Sequence, residues 1–202
     1  MATDTWEDDL ATSTRQFKEI VWPEIRGWFG EDPMLHAAEG RDDALYEAFD
    51  QISGVDFWLV DCKAGMASIA SRVQKCDETT FTIRHSRSSG VDTEHQKRMR
   101  QLHSDYELPT WTVQAYVDPV LEMLRNAAAC RTDDLFQYIG AAGRPGDEWP
   151  LIQSDEDEFF YPVEWGELDS EINIRVHNRQ RAGLVERPDD PSDITAWGNS
   201  DD

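Results

Sequence analysis

Four short segments of the chain have the patterns of β-strands, one of them largely apolar and the others with apolar and polar residues alternating at a period of two. They are residues 54–60, 67–74, 79–86 and 110–117. A helical pattern precedes the first of these strands at residues 41–52, and another precedes the last strand at residues 93–104, where Thr93 is suited to cap the helix. The order helix, three strands, helix, strand predicts one α/β unit with all four strands in a single sheet.

The rest of the chain predicts additions around this unit. Residues 1–29 place apolar side chains at helical spacing until Pro23, which ends or kinks the helix. Two further helices are predicted at residues 120–129 and 132–139, and two further strands at residues 159–161 and 171–176. We therefore predict one domain of the α/β (α+β) class with a mixed central sheet. Its parts are an N-terminal helical segment (1–35), an α/β core with C-terminal additions (36–185) and a disordered acidic tail (186–202).

Polar side chains interrupt the apolar pattern of the first three strands. Asp56 lies in a strand that is otherwise apolar on both faces, which favours a central position in the sheet. Arg72 and Gln74 alternate along the second strand, and Arg84 lies on the third. Simple hairpin register would bring these four side chains to one face of the sheet.

The composition is strongly acidic, with 41 acidic and 19 basic residues and a formal charge of −22. Only four of the basic residues are lysines, and this composition resembles that of a haloarchaeal or haloviral protein. Molar salt shortens the Debye length to about 3 Å, so a dense anionic surface repels itself little there. We expect a protein of a high-salt cytosol. An acidic DNA mimic is the alternative, although residues 54–117 carry eight acids and eight bases and are therefore neutral.

Several classes of protein find no support in the sequence. No apolar run approaches 18 residues and no basic, apolar leader is present, so neither a membrane partner nor secretion is expected. The three cysteines lack CxxC spacing, which favours reduced thiols over a zinc site. P-loop, GxGxxG and HExxH motifs are absent from the sequence.

The segment Gly54-Val55-Asp56, the strand at residues 69–74 and the order of the elements resemble the PD-(D/E)xK nuclease-like superfamily over residues 36–117. The resemblance implies an αβββαβ core whose acidic residues hold a divalent metal, here Mg²⁺, for phosphodiester hydrolysis. It makes Asp56 the first metal ligand, with Asp50, Glu39 or Glu47 as additional acids.

The strand after Asp56 departs from the family motif, which has an acid and a lysine two residues apart. The matching positions hold Ala70 and Arg72, or Arg72 and Gln74. A literal match, Asp61-Cys62-Lys63, falls in a predicted turn. Two interpretations of Asp56 therefore stay open, a metal ligand or a structural acid paired with Arg72.

Basic residues concentrate after the third strand and on the second helix. They are Arg84, Arg87, Lys97, Arg98 and Arg100, and only Asp92 and Glu94 oppose them. Such a patch suits contacts with phosphate groups, although a solvated helix face gives the same pattern.

The leading hypothesis is metal-dependent cleavage or binding of nucleic acid, similar to that of restriction endonucleases. In it Asp56 holds Mg²⁺, Arg72 and Gln74 face the scissile phosphate, and the basic patch positions the backbone. The alternative is a catalytically inactive nuclease-like fold that serves as a protein-interaction or regulatory module, with a protein partner or a second copy.

Overall fold

The computed structural model describes residues 5–38, 54–61, 65–87, 92–104, 108–143, 145–155 and 158–178. The strands are β1 (Met34–Ala37), β2 (Phe57–Asp61), β3 (Gly65–Gln74), β4 (Thr80–Arg87), β5 (Trp111–Asp118), β6 (Met123–Arg131), β7 (Ile152–Asp155), β8 (Glu158–Glu164) and β9 (Ile174–Asn178). The helices are α1 (Thr5–Gln16), α2 (Trp22–Ile25), α3 (Glu94–Gln101), α4 (Thr132–Ala142) and α5 (Trp165–Leu168). A π-helical turn, Phe17–Val21, joins α1 to α2, and a 3₁₀ turn, Arg26–Phe29, follows α2.

The strands form two sheets. The main sheet has the order β1-β2-β3-β5-β6-β9, and it is mixed because β3 and β5 run parallel while its other neighbours are antiparallel. The second sheet is antiparallel, with the order β4-β8-β7. The predicted α+β class with a mixed sheet is thus confirmed.

The expectation of a single sheet for all four central strands is wrong, because β4 leaves the main sheet and pairs with β8. The strand beside β3 is instead β5, which is buried at every position from Thr112 to Asp118 and needs cover on both faces. β4 buries Phe81 and Ile83 on one face and carries Thr82 and Arg84 on the other. That one-sided pattern suits an outer layer, where only one face packs against the core.

The main sheet lies between two layers, each with its own core. On one face Phe17, Val21, Ile25 and Phe29 from the N-terminal helices pack against apolar residues that include Val113. On the other face the second sheet, α4 and α5 pack against the strands β5 and β6. The buried residues of this second core include Phe81, Tyr116, Ala128, Phe136, Tyr161 and Trp165. No helix of the described residues is long and apolar enough to cross a membrane.

The helix predicted at residues 120–129 is wrong, because a tight turn and the strand β6 occupy this segment. Ala127 and Ala129 face the first core, whereas Ala128 and Cys130 face the second. Burial on both faces of a sheet thus overrides the helical propensity of this alanine-rich stretch. The strand β1 was not predicted. The predicted helix 41–52 and the tail 186–202 lie outside the described residues.

Candidate functional site: a cationic cleft

A cleft of about 240 Å³ lies between β3, β4 and α3, on the face of the main sheet that carries the second sheet. Five basic and three acidic side chains line it. They are Arg72, Arg84, Arg87, Lys97 and Arg98, with Asp56, Asp92 and Glu94. We call it the cationic cleft. Its bases come from three separate elements of a chain whose net charge is −22.

Asp56 lies immediately before β2, where its backbone already follows the sheet. Its N–H donates to Ile69 O at 2.9 Å, and its carbonyl accepts from the N–H of Ala38 at 2.8 Å. Its carboxylate Oδ2 accepts from both the N–H and the hydroxyl of Ser71, the latter at 3.1 Å. The side chain therefore ties the start of β2 to the middle of β3.

Two arginines of the cleft contact the same aromatic ring. Arg72 Nη1 donates to Thr82 O at 2.9 Å, and Arg72 Nη2 lies 3.5 Å from a carboxylate oxygen of Glu94. Arg84 Nε lies 3.4 Å from a carboxylate oxygen of Glu158. The central carbon atoms of both guanidinium groups lie over the ring of Phe160, at 5.2 and 5.4 Å from its centroid. Burial, and then the nearby positive charge of Arg72, lower the pKa of Arg84.

The helix α3 forms the remaining wall of the cleft, and its N-terminus is held in two ways. Thr93 caps it, because the hydroxyl accepts from Gln96 N–H while the Gln96 side chain accepts from Thr93 N–H. The Thr93 hydroxyl is also 2.8 Å from His85 O on β4. This reciprocal arrangement satisfies helix N–H groups that would otherwise lack partners.

Arg98 fixes the same helix to the chain just before Asp56. The side chain is buried and donates to Gly54 O at 2.9 Å and to Gln101 Oε1 at 3.0 Å. Burial lowers the pKa of Arg98, while the carboxylates of Glu94 and Asp56 act in the opposite direction. Arg98 therefore serves the architecture of the cleft as well as its charge.

The structure brings six of the eight described candidate residues to this cleft. They are Asp56, Arg72, Arg84, Arg87, Lys97 and Arg98. Gln74 does not line the cleft and instead accepts a hydrogen bond from Gln114 Nε2 at 2.9 Å. Arg100 also lies outside its lining and forms an exposed ion pair with Asp92.

Reasoning from the sequence missed Phe160 and considered Glu94 only as an acid that opposes the basic patch. In the structure Glu94 lies within ion-pairing distance of Arg72. Phe160 faces Arg84 across the β4–β8 pair. No pattern in the sequence shows which strand pairs with β4, so the sequence held no signal for Phe160.

The described residues alone do not fit a resident Mg²⁺. No group of three His, Cys, Asp or Glu residues among them is placed to hold a metal ion. Asp92 and Glu94 each form an ion pair with an arginine. Asp61 ends β2 at the opposite end from Asp56, about 16 Å away at the usual rise of a strand. Asp50, Glu39, Glu47, Cys62 and Lys63 lie outside the described residues.

Comparisons of the chain with protein-family models, with curated proteins and with solved structures gave no match.

Proposed function

We propose that the protein binds nucleic acid through phosphate groups held in the cationic cleft. The observation that carries this proposal is the convergence of five basic side chains on one cleft of a protein with a net charge of −22. Placing like charges together costs electrostatic free energy, so such a cluster is best explained by an anionic ligand.

Four of the five basic residues are arginines, and this favours phosphate as the anion. A guanidinium group is planar and presents a fork of N–H donors that matches the oxygens of a phosphate group in a bidentate manner. The ring of Phe160 holds two of these forks, those of Arg72 and Arg84, beside each other. Less ordering entropy is then lost on binding than with free side chains.

The test is a binding titration followed by fluorescence anisotropy, with labelled single-stranded and double-stranded DNA and RNA at several KCl concentrations. The variant Arg87→Ala/Lys97→Ala should reduce the slope of log K against log salt by about 0.7 to 0.9 for each phosphate group that the variant no longer neutralises. The matched control is Arg15→Ala/Lys18→Ala, which removes the same charge from exposed positions in the helical layer on the opposite face of the main sheet. Equal slopes for the two variants would refute the proposal.

A second candidate function is that of a catalytically inactive regulatory or protein-interaction module. The observation that favours it is that the two acids of the cleft other than Asp56 are already paired, Glu94 with Arg72 and Asp92 with Arg100. Incubation of end-labelled DNA and RNA with wild type and with Asp56→Asn, in Mg²⁺ or Mn²⁺ at high salt, shows whether bound nucleic acid is also cleaved. Cleavage by wild type that is abolished in Asp56→Asn supports a nuclease, whereas intact substrate that neither protein binds supports the module.

A further inference from the structure

The arginine pair of the cleft, Arg72 and Arg84, brings two positive charges to one aromatic ring, that of Phe160. Arg72 is close enough to Arg84 to act on it electrostatically. Arg84 Nε is buried and forms no hydrogen bond with any described residue, and its nearest carboxylate oxygen, on Glu158, is 3.4 Å away. Arg84 is therefore a cation that is already partly desolvated, so its charge is screened less by water than that of an exposed arginine.

The size of the cleft limits what can enter it. Its volume of about 240 Å³ is below the roughly 300–1,000 Å³ of pockets that enclose drug-sized ligands. A single phosphate group with its sugar is of the right scale to enter it.

Two basic residues outside the cleft are already paired with acids. Beyond the cleft, Arg125 is bonded to Asp77 and Asp118, and Arg131 to Asp133. Arg15 and Lys18 lie in the helical layer on the opposite face of the main sheet. With a chain charge of −22, an extended strand would bring many phosphates close to acidic surface, whereas a strand end brings one.

We infer that the cationic cleft recognises a phosphomonoester, the terminal phosphate of a nucleic-acid strand or of a nucleotide, in preference to internal phosphodiesters. This inference rests on the proposed function and specifies its ligand. A phosphomonoester carries a charge of about −1.5 to −2 and three acceptor oxygens, which matches two adjacent guanidinium groups. An internal diester carries a single charge and therefore interacts less strongly with the same two groups.

The experiment uses three single-stranded oligonucleotides of one sequence, each of about 12 nucleotides, a length within the site sizes of single-strand binding proteins. One has a 5′-phosphate, one a 3′-phosphate and one hydroxyl groups at both ends, with the fluorophore on an internal base. Anisotropy is measured in EDTA at the lowest KCl concentration at which circular dichroism shows a folded protein. We expect one phosphorylated strand to bind roughly tenfold or more tightly than the hydroxyl-ended strand.

Variants connect this preference to the arginine pair. Arg84→Gln should abolish the preference for a phosphorylated end, and Arg84→Lys should restore only part of it, because an ammonium cannot bind in a fork. Phe160→Leu keeps both charges but removes the stacking surface, and it should also weaken the preference. Arg15→Gln, in the helical layer, is the matched control and should behave as wild type.

The outcomes separate this inference from the proposed function. Equal affinity for the three strands would overturn the inference and leave nucleic-acid binding standing, whereas binding of none would overturn both. Competition with a nucleoside monophosphate identifies the source of the phosphate. If the monophosphate displaces the phosphorylated strand at concentrations near the dissociation constant of that strand, a free nucleotide suffices as the ligand. If far higher concentrations are needed, the end of a strand is the ligand.

Discussion

The carboxylate of Asp56 holds two strands together through one oxygen, which accepts both the N–H and the hydroxyl of Ser71. Asparagine keeps an oxygen that accepts these bonds, whereas alanine leaves two donors of Ser71 without their acceptor. We predict that Asp56→Ala destabilises the fold by about 1–3 kcal/mol and that Asp56→Asn costs less. Chemical denaturation at high salt measures both. Equal losses of stability would show that the charge of Asp56, rather than its hydrogen bonds, stabilises the fold.

His95 gives the second prediction at the scale of single residues. Its Nδ1 lies 2.7 Å from the hydroxyl of the buried Tyr161, and its ring is 5.3 Å from that of His85. Burial, and then His85, lower the pKa of His95 below 6.5, and the nearby carboxylate of Glu94 opposes them. The strand β4, which carries His85, also carries Arg84 and Arg87.

The folded protein binds a proton on the His95 imidazole less tightly than the unfolded chain does. The contribution of neutral His95 to the free energy of unfolding is therefore complete above pH 6.5 and decreases as the pH drops through that value toward the lowered pKa. We predict that the melting temperature decreases between about pH 6.5 and pH 5 in wild type and decreases less in His95→Gln. His103→Gln changes an exposed residue and is the control. Parallel curves for wild type and His95→Gln would contradict the prediction.

At the scale of elements, the cleft depends on how α3 is joined to the start of β2. Gly54 has a φ of +56°, and a Cβ atom there would lie 2.9 Å from Arg98 Nη2. Gly54→Ala should therefore cost about 1–3 kcal/mol in stability and weaken ligand binding, because both the backbone and the Arg98 contact are strained. Gly27→Ala is the matched control, since a Cβ atom there meets nothing within 4 Å. Similar effects of the two substitutions on chemical denaturation would refute this explanation.

The order of β2, β3, β4, α3 and β5 was predictable because each element carries its own local signal. The alternation of residues 110–117 and the cap at Thr93 depend on neighbours in the sequence alone, and both agree with the structure. The position of β4 was not predictable, because its pattern shows which face is buried but not which strand lies beside it. The same limit concealed Phe160, which reaches the cleft only through the pairing of β4 with β8.

The helix predicted at residues 120–129 failed for a related reason. Ala127, Ala128 and Ala129 favour a helix locally, but in the structure they alternate between the two cores on either face of the main sheet. Small side chains at this position let two layers approach the same strand. Tertiary packing therefore decided the structure of this segment, and a single sequence does not record that packing.

At the scale of the whole molecule, the net negative charge lies in parts of the sequence other than the one that forms the cationic cleft. Residues 54–117 are neutral, and 33 of the 41 acidic residues lie outside them. The cationic cleft is thus an exception in a protein that otherwise repels polyanions. Salt acts on these two regions in opposite ways, because it screens the repulsion among the surface acids and also weakens phosphate binding in the cleft.

The last prediction follows from that repulsion. With 41 acidic and 19 basic residues, the folded state concentrates negative charge that the unfolded chain spreads over a larger volume. We predict a higher melting temperature in about 2 M KCl than in about 0.1 M KCl, because the Debye length falls from about 10 Å to below 3 Å. Circular dichroism melts measure it, and sucrose at matched osmolality is the control, since it strengthens burial without screening charge. An increase in melting temperature in KCl that exceeds the increase in sucrose assigns the effect to screening. Equal melting temperatures in the two KCl solutions would contradict the expectation, based on charge, of a protein adapted to high salt.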